Sequence, residues 1–307
     1  MQPANSAPLA YLNGLFPPQS EARLPLHDAG FVFGATVSDL CRTFRHRLFR
    51  LTDHLHRFRQ SCRLASIPQV LPDEKLLDLA QQLAVYNTAL LRPDEDLALV
   101  MFATPGEIGY FGGTEGGAGE GKPTLGMHTF PLPFSRYRRH FREGVRLLVP
   151  KTRHVPEVCI DPRIKMRSRL SWWLAEQEVH NQDPAATALL LNQAGDVTET
   201  AAANFLWVSK GNVISSPRSN ILGGISLLTV EELCHELKIP FLERLFTIQD
   251  AMAAEEAMLS STPYCLAGVR SIEGKDLPWP GPIFCRLADA WTRRVGVDFR
   301  AQILAER

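Results

Sequence analysis

Few side chains in this 307-residue chain are of a type and setting suited to covalent chemistry, and the lysines are the first to sort. There are seven of them against twenty-six arginines. Lys75, Lys122, Lys210, Lys238 and Lys275 lie in polar helix starts, turns or helix ends, where exposure to solvent is the simple expectation. Of the remaining two, Lys151 and Lys165, only Lys165 is flanked directly by apolar residues, in the stretch "DPRIKMRSRL" that reads as the head of an amphipathic helix over 161–178. An amine in partly apolar surroundings loses solvation of its charged form, so it gains nucleophilicity near neutral pH and can form a Schiff base with a carbonyl compound. The same flanks suit a surface lysine whose stem lies on apolar neighbours while its amine reaches water.

Other stretches offer anion-binding or acid–base groups. In "NILGGISLLTVEEL" a loop carrying Gly223 and Gly224 runs into a helix that starts at Ile225 and Ser226. Two glycines let the backbone approach a ligand closely, and the unpaired first-turn amides at the positive end of the helix dipole suit a phosphate. Ser226 adds a hydroxyl, or caps its own helix. Arg57 lies on a helix next to Phe58, where a guanidinium can clamp phosphate or pair on the surface. "SSTP" ends an apolar strand and offers the hydroxyls of Ser261 and Thr262, although most such ends are turns. Glu199 in "DVTETAAANFLW" follows a turn and precedes three alanines, so something flat can lie near the backbone there. An acid beside a ring nitrogen keeps that nitrogen protonated.

The elements that must position these residues fall into two halves. In the first, "LAYLNGLF" reads as a short strand with a turn, "ATVSDLCRTF" and "RLFRL" as a hairpin, and "DHLHRFRQSCRLA" as a helix with Thr52 as N-cap that lines up Leu55, Phe58, Cys62 and Ala65. A second helix over "DEKLLDLAQQLAVYNTALL" leads into the strand "DLALVMFAT". Residues 106–121 are glycine-rich enough to read as a mobile loop rather than a packed element, and "TLGMHTF" as another strand. The prolines and basic cluster of "PLPFSRYRRHF" read as the connection between domains. The expected division is therefore an α/β domain over 1–130, a linker over 131–140 and a second α/β domain over 141–307 that carries Lys165. The second half holds strands at "GVRLLV", "TALLLN", "NFLWVS", "AMLSS" and "CLAGVRSI", and helices at "ISLLTVEELCHEL", "IQDAMAAEEA" and 281–296. Strands and helices mixed in both halves, without repeats, predict an α+β or α/β class.

Composition excludes several partners. Basic and acidic residues balance at 33 each, so there is no general attraction to nucleic acid or anionic membrane, and "RFRQSCR" and "SRYRRHFR" read as solvated faces. No apolar run is long enough to span a bilayer, and "MQPANSAPLA" lacks the pattern of a secretory signal. Six dispersed cysteines with no C-x-x-C pattern read as reduced thiols of a cytoplasmic protein. His54 and His56 point apart on a helix, so no metal site is expected.

The order of an Arg in "HLHRF", a Lys in "IKMRSRL", a Glu in "VTETAAANF", a "GIS" helix start and an "SST" strand end resembles the class IV aminotransferases. That family includes branched-chain and D-amino acid aminotransferases and aminodeoxychorismate lyase. The resemblance runs from "YLNGLF" to "GVRSIEGK" and takes in "HDAGFVFG". It implies an α+β, two-domain fold type IV enzyme of the D-amino acid aminotransferase-like kind, with pyridoxal 5'-phosphate between the domains and usually a homodimer. By the same resemblance Lys165 is the lysine that forms the Schiff base with the cofactor and then shuttles the substrate proton. Glu199 pairs with the pyridinium nitrogen, and Leu222 packs on a ring face. The phosphate is implied to lie among the Arg57 side chain, the amides of Ile225 and Ser226 and the hydroxyls of Ser226 and Thr262, with Gly224 and Ser261 also implied to bind the cofactor.

Departures from the family pattern fall on the substrate side. Phe33 stands where many members have tyrosine, Ser38 where branched-chain enzymes have phenylalanine and Asp39 where they have glutamate. Leu170 replaces a tyrosine five residues after the lysine, and Thr104, Pro105 and Gly106 replace a T-R-G. No arginine occurs between Arg92 and Arg136, which counts against D-amino acid specificity. Phe33, Ser38 and Thr104 are the candidate substrate contacts. The expected activity is amino-group transfer between a branched-chain-like amino acid and a 2-oxo acid, with a pyruvate-releasing lyase as the alternative suggested by "AANFLW" and amine or D-amino acid transamination behind it.

Overall fold

Alternation in "ATVSDLCRTF" and near-continuous apolarity in "DLALVMFAT" settle the first unit, because such strands must be covered on at least one face. The structure is a computed structural model that describes residues 7–69, 71–117 and 122–306. It divides into two compact units, residues 1–132 with 164–168, and residues 133–163 with 169–307.

The first unit contains β1 (Tyr11–Leu12), α1 (Ala29–Val32), β2 (Val37–Phe44), β3 (Arg47–Leu48), α2 (Leu51–Leu64), α3 (Asp73–Thr88), β4 (Leu97–Thr104) and β5 (Thr124–Pro131). Its antiparallel sheet has the order β1-β5-β4-β2-β3. Val37 and Cys41 of β2, Leu99 and Met101 of β4 and Met127 of β5 pack with Leu55, Phe58 and Cys62 of α2 and Leu76, Leu79 and Leu83 of α3. By the two-residue period of a strand, Asp39 shares the core face of β2 with Val37 and Cys41.

The second unit contains α4 (Phe134–Arg142), β6 (Val145–Leu148), α5 (Leu170–His180), β7 (Ala186–Leu191), β8 (Val197–Thr200), β9 (Asn204–Ser209), β10 (Asn212–Ser215), α6 (Ile225–Glu236), β11 (Phe241–Glu243), α7 (Ile248–Met252), β12 (Glu256–Ser261), β13 (Cys265–Ile272), β14 (Lys275–Asp276), α8 (Pro282–Val295) and α9 (Phe299–Leu304). The strand order is β11-β10-β9-β12-β13-β6-β7-β8, with β14 beside β13. A further pairing of β8 with β9, Glu199 opposite Asn204, closes the path on itself. Trp172, Ala175 and Val179 of α5 pack on Ala186, Ala188 and Leu190 of β7.

Several elements differ from the sequence reading. The helix expected over 161–178 begins only at Leu170. Upstream, Met166 bridges to Val37, Arg167 N–H donates to Thr36 O at 2.8 Å and Ser38 N–H donates to Lys165 O at 2.9 Å, so this backbone is spent on the edge of β2 instead of an i−4 ladder. Residues 164–168, Lys165 included, therefore group with the first unit. Much of the segment read as the linker 131–140 is α4, whose Arg138 guanidinium donates to the carbonyls of Ile303 and Ala305. The unit boundary falls after Leu132.

Helix α2 starts at Leu51 rather than from a Thr52 cap. Arg50 turns the chain at φ 57°, and its Nε donates to Asp53 in the first turn at 2.6 Å. The glycine-rich segment is packed at its start, since Ile108 is buried and its N–H donates to His27 O at 2.9 Å before a 3-10 turn over Gly109–Gly112. Residues 118–121 of that loop reading, and the first six residues of the reading for a leader, lie outside the described residues. Among the described residues no helix is long and apolar enough to cross a membrane.

One buried carboxylate ties the entry of the first unit together. Asp28 accepts from Gly30 N–H at 2.7 Å, from Thr104 Oγ1 at 3.1 Å and from Thr124 Oγ1 at 2.8 Å. Asp28→Ala strands these donors, so a loss of about 2 to 4 kcal/mol in denaturant unfolding is expected. Stability within 0.5 kcal/mol of the parent, about the spread of an innocuous surface change, would show that the cluster does not hold this corner.

Candidate active site

In the first unit, helix α2 carries a buried polar stripe, His54, Arg57 and Ser61, at i, i+3 and i+7. Arg57 Nε donates to Asp39 Oδ2 at 2.8 Å and Nη2 donates to Oδ1 at 2.9 Å, a two-point grip on one carboxylate. His54 Nδ1 lies 2.7 Å from Asp39 Oδ1. A carboxylate only accepts, so Nδ1 carries the proton. Burial by itself would raise the Asp39 carboxyl, but the charges of Arg57 and His54 and their hydrogen bonds hold it well below the usual carboxylate range. Burial pushes the His54 imidazole down more than Asp39 draws it up, and Arg57 and Lys165 add to the push.

Ser61 Oγ accepts from the Lys165 backbone N–H at 3.0 Å, while Lys165 O accepts from Ser38. The main chain of Lys165 is thus held on both sides, and the neighbouring Ile164 packs against the core. Of the seven lysines it is the only one not exposed. Ser38 is buried on β2. Phe33 caps the end of α1, is exposed and stands edge-on to Phe111 with ring centres 6.4 Å apart. Thr104 is buried, and its hydroxyl is committed to Asp28 and to accepting from Gly106 N–H at 3.0 Å.

The second unit gathers Glu199, Leu222, Gly224, Ile225 and Ser226. Glu199 lies within β8, the strand that follows the turn over 193–195. Its Oε1 accepts from Leu222 N–H at 3.1 Å and its Oε2 from Asn204 Nδ2 at 2.9 Å. The same Asn204 amide donates to Leu222 O at 2.8 Å, which fixes the loop ahead of α6. Gly224 is the N-cap of α6 and no side chain caps that end. A Cβ on Gly224 would meet Asn204 Oδ1 at 2.0 Å, whereas one on Gly223 would meet nothing. Of the two glycines, only Gly224 is required by close approach.

Ile225 and Ser226 are buried in the first turn of α6. Ser261 donates to Ala202 O at 2.6 Å, and Thr262 follows it, half-buried. Ser260 pairs with Asn204 across the sheet, and its buried hydroxyl has no hydrogen-bond partner among the described residues. His154 presents Nε2 at 3.6 Å from Glu199 Oε1, with its ring edge-on to Trp172 at 5.3 Å.

Sequence reasoning passed over Asn204, Ser260, His154 and Ser61, and treated Asp39 and His54 only as a departure and a rejected metal pair. The available signals were a polar residue heading the apolar strand "NFLWVS" and the three-residue spacing of His54 and Arg57. His154 carries no local signal. No group of residues suited to a metal occurs among the described residues.

The family described as Amino-transferase class IV matches residues 36–272. A Methanocaldococcus jannaschii protein provisionally named a branched-chain-amino-acid aminotransferase is 27% identical over 267 residues, 86% of this chain and 88% of that one. A Staphylococcus aureus D-alanine aminotransferase is 25% identical over 300 residues, 93% of this chain and 97% of its own. In fold, the chain is similar to the Escherichia coli branched-chain amino acid aminotransferase, with a TM-score of 0.84 at 20% identity over 94% of each chain.

The Gly224 contact is directly testable. In Gly224→Ala the added methyl group displaces the Asn204 amide, so Glu199 loses a donor and a stability loss of about 1 to 3 kcal/mol is expected in chemical denaturation. Parent-like stability would mean that the loop yields without disturbing Asn204.

Proposed function

This chain belongs to the class IV aminotransferases, and from that premise we propose that it uses pyridoxal 5'-phosphate to move an amino group between a branched-chain-like L-amino acid and a 2-oxo acid. The observation that carries the reading is Lys165, the one lysine that is half-buried rather than exposed, its main chain pinned through both N–H and carbonyl. The donor set suits the cofactor. Glu199 is a buried, positioned carboxylate, α6 offers first-turn amides with no side-chain cap, and Gly224 lets the loop lie close against Asn204, the amide that donates to Glu199.

When bound, the cofactor supplies a ring that accepts the electrons released as the substrate Cα–H bond breaks. Lys165 would hold the cofactor and, once substrate has displaced it, its amine would take the proton from Cα and deliver it to the cofactor carbon on the other side of the shared nitrogen. Glu199 would keep the ring nitrogen protonated, and Asn204 Nδ2 and Leu222 N–H hold its carboxylate in place. By the family likeness, Arg57, the Ile225 and Ser226 amides and the Ser226 and Thr262 hydroxyls would hold the phosphate, with Ser261 bracing the strand end beside Thr262. Leu222 would cover one face of the ring. Phe33 and Ser38 border the substrate, and Thr104 supports that wall through Asp28. The L-series assignment rests on the stretch between Arg92 and Arg136, which contains no arginine to bind a D-amino acid carboxylate. The six unbridged cysteines accord with a cytoplasmic setting, and the family likeness with a homodimer.

Borohydride reduction of the holoenzyme followed by peptide mapping should place the cofactor on Lys165, and a label on Lys151 or on no lysine would overturn the assignment. Glu199→Gln keeps the shape and removes the charge. It should retain cofactor but lose on the order of 10²-fold or more in kcat, as expected when an electrostatic contact belongs to the transition state. A parent-like rate would move the electron-sink role elsewhere. Mixing the holoenzyme with L- or D-amino acids and following the bound cofactor's absorbance identifies the donor. Conversion by D-amino acids alone would reverse the handedness.

A further inference from the structure

Arg57 does not stand by itself in the first unit. It projects from α2 toward a strand residue, Asp39, which the pleat of β2 turns into an apolar core. A carboxylate buried there is costly unless each oxygen is met by a donor. Both are met, Oδ2 by Arg57 Nε, and Oδ1 by Arg57 Nη2 and His54 Nδ1. Two parallel contacts on the Nε–Nη2 edge fix both the plane of the guanidinium and its rotation about the side-chain axis. The opposite edge, which includes Nη1, then points in a direction that Asp39 decides. His54 sits one helical turn before Arg57 and donates to Oδ1, so helix, carboxylate and guanidinium are joined in one hydrogen-bonded set.

We propose that Asp39, itself held by His54, is the positioning residue that aims Arg57 at the cofactor phosphate. The inference rests on the phosphate assignment of Arg57 made above and adds two residues to it. Two other roles for the same contacts predict different outcomes. If Asp39 served only as a counter-charge, it would weaken the attraction between Arg57 and an anion, and its removal would tighten phosphate binding. If it served only to stabilise the fold, its removal would affect every ligand alike.

The experiment uses the full-length protein freed of cofactor and titrated with pyridoxal phosphate and, separately, with pyridoxal, which lacks the phosphate. Arg57→Ala is the reference and should weaken the phosphate-bearing ligand by about tenfold or more, the scale of a lost charge-assisted contact. Asp39→Asn should weaken pyridoxal phosphate by a similar factor of about ten while pyridoxal stays within about twofold, because only the aim of Arg57 is lost. His54→Leu should do the same to a smaller extent. His54→Asn keeps a donor where Nδ1 lies and should stay close to the parent.

Tighter binding of pyridoxal phosphate by Asp39→Asn, or an equal loss for both ligands, overturns the proposal. So does parent-like binding by Asp39→Asn when Arg57→Ala is impaired. If Asp39→Asn does not fold, the His54 pair decides, and equal behaviour of Leu and Asn at that position is the overturning result. Should Arg57→Ala itself leave the two ligands unaffected, the phosphate assignment fails instead, and the two failures are told apart by that single variant.

Discussion

A carboxylate taken out of water must be surrounded by donors, and in the second unit that constraint falls on Glu199. The cost of leaving a buried charge unmatched is several kcal/mol, larger than any single helix cap or turn preference nearby. The chain meets it with a backbone N–H from Leu222 and an amide from Asn204. Those two donors come from different places in sequence, so satisfying Glu199 brings the loop before α6 against the start of β9. The pairing of Glu199 with Asn204 is also the point where the strand path closes. Closure of the sheet and placement of the helix N-terminus thus follow from one electrostatic requirement.

The first unit answers the same requirement at Asp39, with a guanidinium and an imidazole from one face of α2. The consequence differs. There the carboxylate is the fixed partner and the cation is the group being oriented. A third member of the stripe, Ser61, extends the helix's hold to the main chain of Lys165. An α-helix presents residues three and four apart on one face, so a single element registers the cation and the amine together. Exposed ion pairs elsewhere, such as Arg139 with Glu143 or Arg300 with Asp289, are screened by solvent and carry little of this order.

Where the sequence reading and the structure part, the reason is competition for backbone hydrogen bonds. "IKMRSRLSWW" has the composition of a helix, yet its first residues pair with the edge of β2, and only from Leu170 do they satisfy one another. The segment read as a linker has two prolines, but both precede Phe134, and the residues after them form α4. The glycine-rich stretch starts with Ile108, whose burial and bond to His27 anchor a turn that glycine content by itself would not suggest. For the lysine segment and for Ile108 a residue far away in sequence supplied the backbone partner, whereas α4 satisfies its own backbone.

What the sequence by itself determined was the set of groups and their order. The periodicity of "DHLHRFRQSC" and "DLALVMFAT" dictates a helix over a sheet, and the scarcity of lysine singles out Lys165, because residue types and spacings along one element are local properties. The pairing of Arg57 with Asp39, of Glu199 with Asn204 and of Ser61 with Lys165 was decided only by tertiary structure. Such pairings join positions 5 to 104 residues apart. Their strength comes from burial, and a side chain's burial depends on what the rest of the chain folds over it, which no stretch of sequence contains.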